Sequence, residues 1–321
     1  MFKALLVNDD KCQPKFHNIE ESQLTYGNVL INVLYSTLNY KDCLALKHGP
    51  PVLRKFPIVT GIDLAGIVAE SGCSKYKEGD EVLVTGWGIG EKFWGGHSEK
   101  AKVDDSWIVS KPSGFSLKNT MECGTAGFTA GLAVRRLVQV LDPKSDKIIV
   151  TGASGGVGII SVMLLKRLGF YVIASTSREE NKNFILNMGA NEVIKTESLS
   201  QKKLLDQQLW GGGIDTLGGE ALVGMCASTK YGGTVLSCGN AKDMSFSGSV
   251  APFILRGICL IGVDSVNQNY DTRRKTWDFL EKNLTSDDLN QISTEVDFNE
   301  TLLMVEKVIN GDIKGRIVLK M

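Results

Sequence analysis

The sequence has no long apolar run and no excess of either charge. No uninterrupted apolar stretch approaches the roughly 18 residues of a membrane-spanning helix. Met1–Val7 lacks the basic flank of a leader peptide and is followed at once by polar residues. The 36 basic residues balance the 36 acidic ones, which removes the electrostatic reason to expect nucleic acid or an anionic membrane as a partner. We therefore expect a cytoplasmic protein with neither kind of partner.

Histidine and cysteine are scarce and scattered. The three histidines lie at positions 17, 48 and 97, and the seven cysteines lie singly at 12, 43, 73, 123, 226, 238 and 259. These spacings match neither a disulfide framework nor a zinc site with paired cysteines. We expect no metal, reduced thiols that mostly lie in the core, and structural roles for Cys43 and His97.

One segment combines a strand, a glycine turn and a helix. The apolar run that ends at Val150 is followed by Gly152, Gly155 and Gly158, with Ala153 where the usual G-x-G-x-x-G has its first glycine. Gly155 would let the backbone approach a pyrophosphate at the helix N-terminus, and Gly158 would let the helix pack against the strand. A second β-branched run, residues 171–175, completes the unit. The turn therefore predicts a dinucleotide site, whose contacts are expected at Ser154, Gly155, Gly156 and Val157.

The residues after the second strand indicate which dinucleotide binds. An NAD site usually has Asp or Glu there, whereas this chain has Ser175, Thr176, Ser177 and Arg178. Hydroxyls and a guanidinium, without a repelling carboxylate, favour the 2′-phosphate of NADP. The alternative is that Arg178 is only a solvated residue in the first turn of a helix from Arg178 to Met188.

Two different patterns of strands, helices and turns follow one another along the chain, and they predict two domains. Strands alternate with amphipathic helices over residues 123–265, as in a doubly wound parallel α/β sheet. Residues 1–122 contain short strands punctuated by glycine, proline and aspartate, which favours an antiparallel, barrel-like domain. Residues 266–321 return to that style, with helices at 272–284 and 299–310 and a final strand at 315–320. We expect this tail to complete the first domain, with the dinucleotide domain inserted and the active site in the cleft between the two.

Several further runs resemble the medium-chain dehydrogenase/reductase superfamily over essentially the whole chain. They are Asn39–Asp42, Gly61–Gly66, Glu78–Val82, Gly95–Glu99 and Gly124–Ala130. More narrowly, residues 85–90, 252–257 and 262–265 resemble the bacterial acryloyl-CoA reductase group, long labelled quinone oxidoreductases. The resemblance implies a GroES-like catalytic domain, a Rossmann domain that binds NADPH, and a homodimer joined through its last Rossmann strands, here residues 258–263.

The chain departs from the zinc-dependent members of that superfamily. Those members have a catalytic cysteine in the segment that corresponds to Asn39–Asp42 and a His-Glu pair where this chain has Ile62 and Asp63. Without a metal, reduction of an activated C=C bond is a less demanding reaction than reduction of an ordinary ketone.

Asn39, Tyr40 and Asp42 are the candidate catalytic residues. Tyr40 is expected to contact the nicotinamide and to supply a proton, Asn39 to orient substrate or cofactor through its amide, and Asp42 to hold the short helix or tune Tyr40. Helix capping by Asp42, simple packing of Tyr40 and a solvent-facing Lys41 are the alternatives. Thr125 either contacts the cofactor or only permits close helix packing.

Further cofactor contacts are expected where strands end and in the tail. Ligands of such sheets bind beyond the carboxyl ends of the strands, which indicates Leu217 and Gly239. The superfamily's closing motif implies Asn310 and Arg316, although Arg316 could equally be a solvated cation on the last strand. Arg256 could bind a CoA phosphate or stabilise a turn, and it is left unassigned.

These observations favour an NADPH-dependent reductase of an activated C=C bond. The resemblance implies reduction of acryloyl-CoA to propanoyl-CoA, by hydride addition to the β-carbon without a metal. A quinone reductase is the nearest enzymatic alternative. A binding protein that keeps NADPH but has lost turnover belongs to a different class, and the polar residues 39, 40 and 42 argue against it.

Overall fold

The computed structural model describes residues 1–11, 13–200 and 203–321, and these form two compact units. The first unit contains residues 1–125, 265–281 and 285–321, and the second contains residues 126–264 and 282–284. Cys12, one of the thiols considered above, lies outside the described residues.

Short strands dominate the first part of the first unit. In chain order these strands and the α-helix α1 are β1 (Phe2–Val7), β2 (Lys15–Ile19), β3 (Val29–Thr37), α1 (Tyr40–His48), β4 (Ile58–Val59), β5 (Asp63–Ser71), β6 (Glu81–Thr85), β7 (Lys100–Val103) and β8 (Val109–Ser110). The helix α2 (Leu117–Leu137) follows and is broken at Gly124, where φ is 51° and ψ is −156°.

The second unit alternates strands and helices along its length. These are β9 (Lys147–Val150), α3 (Gly156–Arg167), β10 (Tyr171–Thr176), α4 (Lys182–Asn187), β11 (Glu192–Lys195), β12 (Trp210–Asp215), α5 (Gly219–Ala227), β13 (Thr229–Ser237), α6 (Ala251–Arg256) and β14 (Cys259–Gly262). The chain then continues through α7 (Tyr270–Asn283), α8 (Ser286–Ile292), β15 (Ser293–Asp297), α9 (Thr301–Ile309) and β16 (Arg316–Lys320).

The strands of the first unit pair into two sheets. One has the order β2-β1-β4, and the other has the order β15-β16-β3-β5-β6-β8, with β7 also paired to β3. Most pairs are antiparallel, but β15 and β16 are parallel. The barrel-like expectation is corrected in one respect, because the strand pairings of the described residues do not close into a ring. The strand β1 belongs to the three-stranded sheet, where it pairs with β2 and β4.

The second unit is a parallel sheet with the order β11-β10-β9-β12-β13-β14. Counted from β9, this is the 3-2-1-4-5-6 order of a Rossmann fold, with its switch point between β9 and β12. The residues Ile148–Val150 are fully buried, as expected for a central strand that is covered on both faces. The predicted α/β fold with a doubly wound parallel sheet is therefore confirmed.

Several element boundaries differ from the predicted ones. The helix expected at Arg178–Met188 begins as a 3₁₀ turn at Glu179, and its α-helical part is α4. The predicted helix 299–310 likewise starts with a 3₁₀ turn at Phe298, and α8 was not predicted. Its short sequence carries too few apolar positions to show a helical period.

None of the helices in the described ranges combines the length and the apolar composition of a bilayer-spanning segment. The six cysteines in those ranges are unpaired thiols. Cys43, Cys123 and Cys226 are buried, and Cys259 is exposed.

Candidate cofactor and catalytic sites

The glycine turn lies at the carboxyl edge of the second unit's sheet, directly after the central strand β9. A Cβ added to Gly158 would lie 2.3 Å from the carbonyl oxygen of Gly152, so only glycine lets α3 pack this closely. A Cβ added to Gly155 would have Gly152 as its nearest neighbour at 3.4 Å, which is ordinary contact. The Gly155 side of the turn is therefore open, and the first N–H groups of a helix lack intrahelical acceptors. This arrangement fits a pyrophosphate at the N-terminus of α3.

Ser154, Gly155, Gly156 and Val157, the predicted contacts in this turn, are all partly exposed. Gly158, in contrast, is buried. The local geometry thus agrees with two different roles, in which Gly155 leaves room for a ligand and Gly158 allows close packing of the helix.

A buried carboxylate ties the glycine turn to the neighbouring strand. Asp215 at the end of β12 accepts a hydrogen bond from the Thr151 hydroxyl at 2.7 Å and one from the Gly218 N–H at 2.8 Å. Thr216 donates its backbone N–H to the hydroxyl oxygen of Thr151 at 3.0 Å. Burial raises the pKa of Asp215, and these hydrogen bonds partly oppose the shift. The sequence reasoning missed this clamp, although an aspartate directly after an apolar strand could have indicated it.

The predicted 2′-phosphate residues follow β10 at the same edge. Thr176 is buried and accepts a hydrogen bond from the backbone N–H of Arg178 at 3.1 Å. Ser177 is exposed, and the Arg178 side chain is partly exposed with Glu180 at 4.0 Å. A hydroxyl and a guanidinium in this position can bind a phosphate. Glu180 competes for the same guanidinium, and the sequence reasoning did not consider it.

Leu217 and Gly239 each lie two residues beyond a strand, after β12 and β13 respectively. Both are partly exposed, and a Cβ on Gly239 would lie 2.3 Å from the Thr216 carbonyl oxygen. The loops after β10, β9, β12 and β13 are neighbours because those strands are adjacent in the sheet.

In the first unit, the N-terminus of α1 is fixed by a capping box. The Asp42 carboxylate accepts the backbone N–H of Asn39 at 2.8 Å and also the N–H of Ile62 at 3.0 Å. Asp42 is buried, and this burial raises its pKa, while His97 and the hydrogen bonds of Asn39 oppose the shift. Asp42 thus caps the helix and ties it to the segment before β5.

Asp63, the first residue of β5, joins four donors in the core of the first unit. Its carboxylate accepts from the Thr37 hydroxyl at 2.7 Å, the Asn39 amide at 2.9 Å, and the Thr125 backbone N–H and hydroxyl at 2.9 and 2.5 Å. Gly124, next to Thr125, is packed so closely here that a Cβ would lie 2.7 Å from the Asp63 carboxylate. Asp63 therefore links the start of α1 to the break in α2.

Arg316, the first residue of β16, completes this network. Its guanidinium donates to the Asn39 side-chain oxygen at 3.0 Å and to the Glu122 carbonyl oxygen at 3.1 Å, while its Nη2 atom is buried without a partner among the described residues. Burial lowers the pKa of Arg316, and Asp63 opposes this shift. The interpretation of Arg316 as a solvated cation is wrong, because the side chain is buried.

The Asn39 amide is committed inside this network. Its nitrogen donates toward Thr37, Asp42 and Asp63, and its oxygen accepts from Arg316. Those bonds leave Asn39 suited to positioning α1 rather than to contacting a ligand through its amide. Its role in the reaction stays a prediction.

Tyr40 and Lys41 are partly exposed beside this buried network, on the first turn of α1. Tyr40 is 36% exposed. The Lys41 ammonium lies 2.6 Å from the carboxylate of Glu91, whose side chain is only 6% exposed. The Lys41 side chain therefore keeps part of its surface in solvent, as expected, while a buried carboxylate holds its ammonium group.

The other residues considered from the sequence have local roles. His97 is buried, with one ring nitrogen 2.9 Å from the Thr60 hydroxyl and the other 2.9 Å from the Thr37 carbonyl oxygen. Arg256 donates to the carbonyl oxygens of Ala227, Thr229 and Asp206, which is the turn-stabilising alternative. Asn310 is exposed at the end of α9 and takes no part in the Asp63 network.

The described residues contain no group of three or more His, Cys, Asp or Glu side chains with the arrangement of a metal site.

Comparison with known proteins places this geometry in a family. Residues 25–113 match the family model "Alcohol dehydrogenase GroES-like domain", and residues 156–282 match "Zinc-binding dehydrogenase". The chain is 39% identical to a protein of Escherichia coli K12 named "Probable acrylyl-CoA reductase AcuI", and the match covers 99% of each chain. The chain belongs to the medium-chain dehydrogenase/reductase superfamily.

Solved structures of this superfamily agree with the fold. The yhdH oxidoreductase of Salmonella enterica, crystallised in complex with NADP, has a TM-score of 0.97 at 39% identity and full coverage of both chains. The Bacillus subtilis protein yhfP, crystallised with NAD, has a TM-score of 0.95 at 39% identity, with 100% of this chain and 99% of the other covered. YhfP bears the name of a quinone oxidoreductase. The superfamily resemblance predicted from the sequence is therefore confirmed.

Proposed function

We propose that this chain is an NADPH-dependent reductase of an activated C=C bond, with acryloyl-CoA as its substrate and propanoyl-CoA as its product. The observation that carries the proposal is the open Gly155 turn after the central strand β9, together with Thr176, Ser177 and Arg178 at the end of the neighbouring strand β10 and directly after it. The named acrylyl-CoA reductase of E. coli supports the substrate.

The cofactor contacts in this proposal are the residues predicted from the sequence. They are Tyr40, Ser154, Gly155, Gly156, Val157, Thr176, Ser177, Arg178, Leu217, Gly239, Asn310 and Arg316. NADPH supplies the hydride for the reaction. Tyr40 contacts the reacting groups from the first turn of α1, and Asn39 and Asp42 hold that turn in place.

The chemistry of the substrate explains what the protein must provide. When hydride adds to the β-carbon of an α,β-unsaturated thioester, the electron pair of the C=C bond moves toward the carbonyl and leaves negative charge on its oxygen. The protein must stabilise that charge and allow a proton to reach the α-carbon. The Tyr40 hydroxyl is the proposed proton source.

The deciding experiment follows the loss of NADPH absorbance with acryloyl-CoA, in parallel with a small benzoquinone and with NADH controls. Rapid turnover of acryloyl-CoA with NADPH alone is expected. Turnover of the quinone alone would move the protein to the quinone reductases, the second candidate, which the name of YhfP favours. Binding of NADPH without turnover of either substrate would indicate a non-catalytic binding protein.

The cofactor preference depends on Arg178. Because a charge-assisted hydrogen bond contributes on the order of 1.5–3 kcal/mol, Arg178→Ala should weaken NADPH binding at least about tenfold. Binding of NADH should change little. Fluorescence titration with both cofactors measures this, and unchanged NADPH affinity would remove Arg178 from the phosphate site.

The proposal includes a homodimer that acts in the cytoplasm. The strand β14 is an edge of the second unit's sheet, and an unpaired edge is a template for a further strand. The helix α6 precedes β14 in the chain and carries two exposed apolar side chains, Ile254 and Leu255, and Val250 just before it is exposed as well. The six unpaired thiols suit a reducing compartment. Light scattering on the wild type and on Leu260→Lys tests the dimer, since a charge on β14 should give monomers.

A further inference from the structure

Glu91 is a buried carboxylate that the reaction outlined above does not use. Its side chain is 6% exposed, and it lies 2.6 Å from the Lys41 ammonium and 4.0 Å from the Arg54 guanidinium. Two cations, Lys41 and Arg54, therefore accompany the single carboxylate of Glu91.

Backbone hydrogen bonds and close packing hold the loop that carries Glu91. The Gly88 carbonyl oxygen accepts the backbone N–H groups of Glu91 and Lys92 at 3.2 and 2.9 Å, and the Glu91 carbonyl oxygen accepts the N–H of Arg54 at 2.9 Å. A Cβ on Gly90 would lie 2.7 Å from the backbone of Gly61, so this loop packs closely on its neighbour. The backbone that carries the Glu91 side chain is thus held by contacts within the first unit.

The Lys41 ammonium binds this carboxylate and has further N–H groups that can donate to a ligand. An ammonium group has three N–H donors, and Glu91 is the one hydrogen-bond partner of the Lys41 ammonium within the described residues. The side chain is 38% exposed and follows Tyr40 directly on the first helical turn. The positive end of the α1 dipole adds to the charge at this position.

We propose that Lys41 is a catalytic residue that donates a hydrogen bond to the carbonyl oxygen of the thioester, and that Glu91 is the positioning residue that aims it. This inference rests on the proposed function. When the hydride of the reduced nicotinamide forms the new C–H bond at the β-carbon, the π pair moves to the carbonyl and makes its oxygen negative. The Lys41 ammonium stabilises that oxygen, and the proton that completes the α-carbon comes from Tyr40. Lys41 itself stays protonated throughout.

The matched control lies on the same helix. Lys47 forms an ion pair with Glu306 at 2.8 Å, and its side chain is 35% exposed, close to the value for Lys41. Lys47→Met therefore removes a comparable charge from α1 but far from Tyr40, at the last turn.

The experiment measures kcat and KM for Lys41→Met, Lys41→Arg, Glu91→Gln and Lys47→Met with two substrates, acryloyl-CoA and the acryloyl thioester of pantetheine, which has no phosphate. Lys41→Met should lower kcat about 100-fold or more with both thioesters, as loss of an oxyanion donor does. Lys41→Arg should retain part of the rate, and Lys47→Met should resemble the wild type. NADPH affinity, measured in parallel, should stay unchanged in Lys41→Met. Its melting temperature should fall, because the buried Glu91 carboxylate loses its nearer counter-charge, so the rates are compared at a temperature at which every variant stays folded.

Glu91 is tested through its dependence on Lys41. Glu91→Gln should lower kcat less than Lys41→Met does, and the double variant should be no slower than Lys41→Met alone, because Glu91 acts through Lys41. Additive losses would contradict the positioning role.

Two results would overturn the assignment of Lys41. One is a Lys41→Met enzyme as active as Lys47→Met. The other is a rise in KM for acryloyl-CoA alone, which would make Lys41 a contact for a CoA phosphate. A wild-type enzyme that reduces neither thioester would instead overturn the proposed function, and the role of Lys41 with it.

Discussion

Asp63 holds together the polar core of the first unit. It accepts hydrogen bonds from two side chains before α1 and from Thr125 at the break in α2. A buried carboxylate with four donors and a nearby guanidinium is stable as a set, but it tolerates the loss of one member poorly.

Asp63→Asn should therefore destabilise the protein by about 3 to 5 kcal/mol, the usual cost of leaving a buried charge without its counter-charge. Arg316 would be the uncompensated group, and the new amide nitrogen would face other donors. Thr37→Val is the control, since it removes a hydroxyl and should cost only about 1 kcal/mol per hydrogen bond lost. The midpoint of urea unfolding compares the two, and equal midpoints would contradict the role given to Asp63.

The surroundings of the individual thiols differ, and these differences shift their pKa values in opposite directions. The hydroxyl of Ser71, 3.4 Å from the Cys73 sulfur, lowers the pKa of Cys73. Burial raises the pKa of Cys226 and of Cys238 to about 12. The thiolate is the reactive form, so a lower pKa gives a larger reactive fraction at neutral pH.

We expect Cys73 to react quickly with an aromatic disulfide reagent at neutral pH, and Cys226 and Cys238 to react only after unfolding or in strong alkali. A Cys12→Ser background removes the thiol outside the described residues. Further substitution of Cys73→Ser should abolish a fast phase, leaving that of exposed Cys259. If the fast phases persisted unchanged, the influence of Ser71 on Cys73 would be refuted.

At the scale of elements, the turn between β9 and α3 separates two uses of glycine. Gly155 has ordinary backbone angles, φ −81° and ψ 172°, and open space on its free side. Gly158 faces the backbone of the preceding turn at distances that no side chain permits.

Gly155→Ala should therefore leave the melting temperature nearly unchanged and weaken NADPH binding, because its methyl group occupies the side from which a pyrophosphate approaches. Gly158→Ala should lower the melting temperature as well, since α3 must move away from β9. Calorimetry and fluorescence titration give the two quantities. Equal loss of stability in both variants would mean that the turn has no open side.

The sequence predicts the helices and strands better than it predicts the contacts between residues that lie far apart along the chain. The order of strands and helices around the glycine turn follows from local periodicity and glycine spacing, so it could be predicted. The bond from Arg316 to Asn39 joins residues 277 positions apart, and the pair of Lys41 with Glu91 spans 50 positions. No local pattern encodes such pairs, which is why Arg316 was considered as a surface cation and the partner of Lys41 was not predicted.

At the scale of the whole molecule, NADPH binding should slow hydrogen exchange in the segments proposed to contact the cofactor and leave distant segments unchanged. The loops after β9, β10, β12 and β13 lie at one edge of the second sheet, whereas β2 is an edge strand of the three-stranded sheet in the first unit. Ligand binding stabilises a folded unit by about 2.7 kcal/mol at a concentration 100 times Kd.

Hydrogen exchange should therefore slow on NADPH binding at residues 154–158 and 176–178. The amides of β2 serve as the internal reference and should keep their rates. Protection confined to other segments would show that the cofactor binds elsewhere.

The position of Asp63 also bears on how members of this superfamily can diverge. It stands where the zinc-dependent members have one residue of their His-Glu pair, yet here its oxygens are already engaged by four donors. Grafting metal ligands onto this scaffold would break those bonds and leave Asn39, Thr125 and Arg316 to find new partners. A single exchange at Asp63 cannot preserve both arrangements, so building a metal site into this chain would require coordinated replacement of the surrounding polar residues.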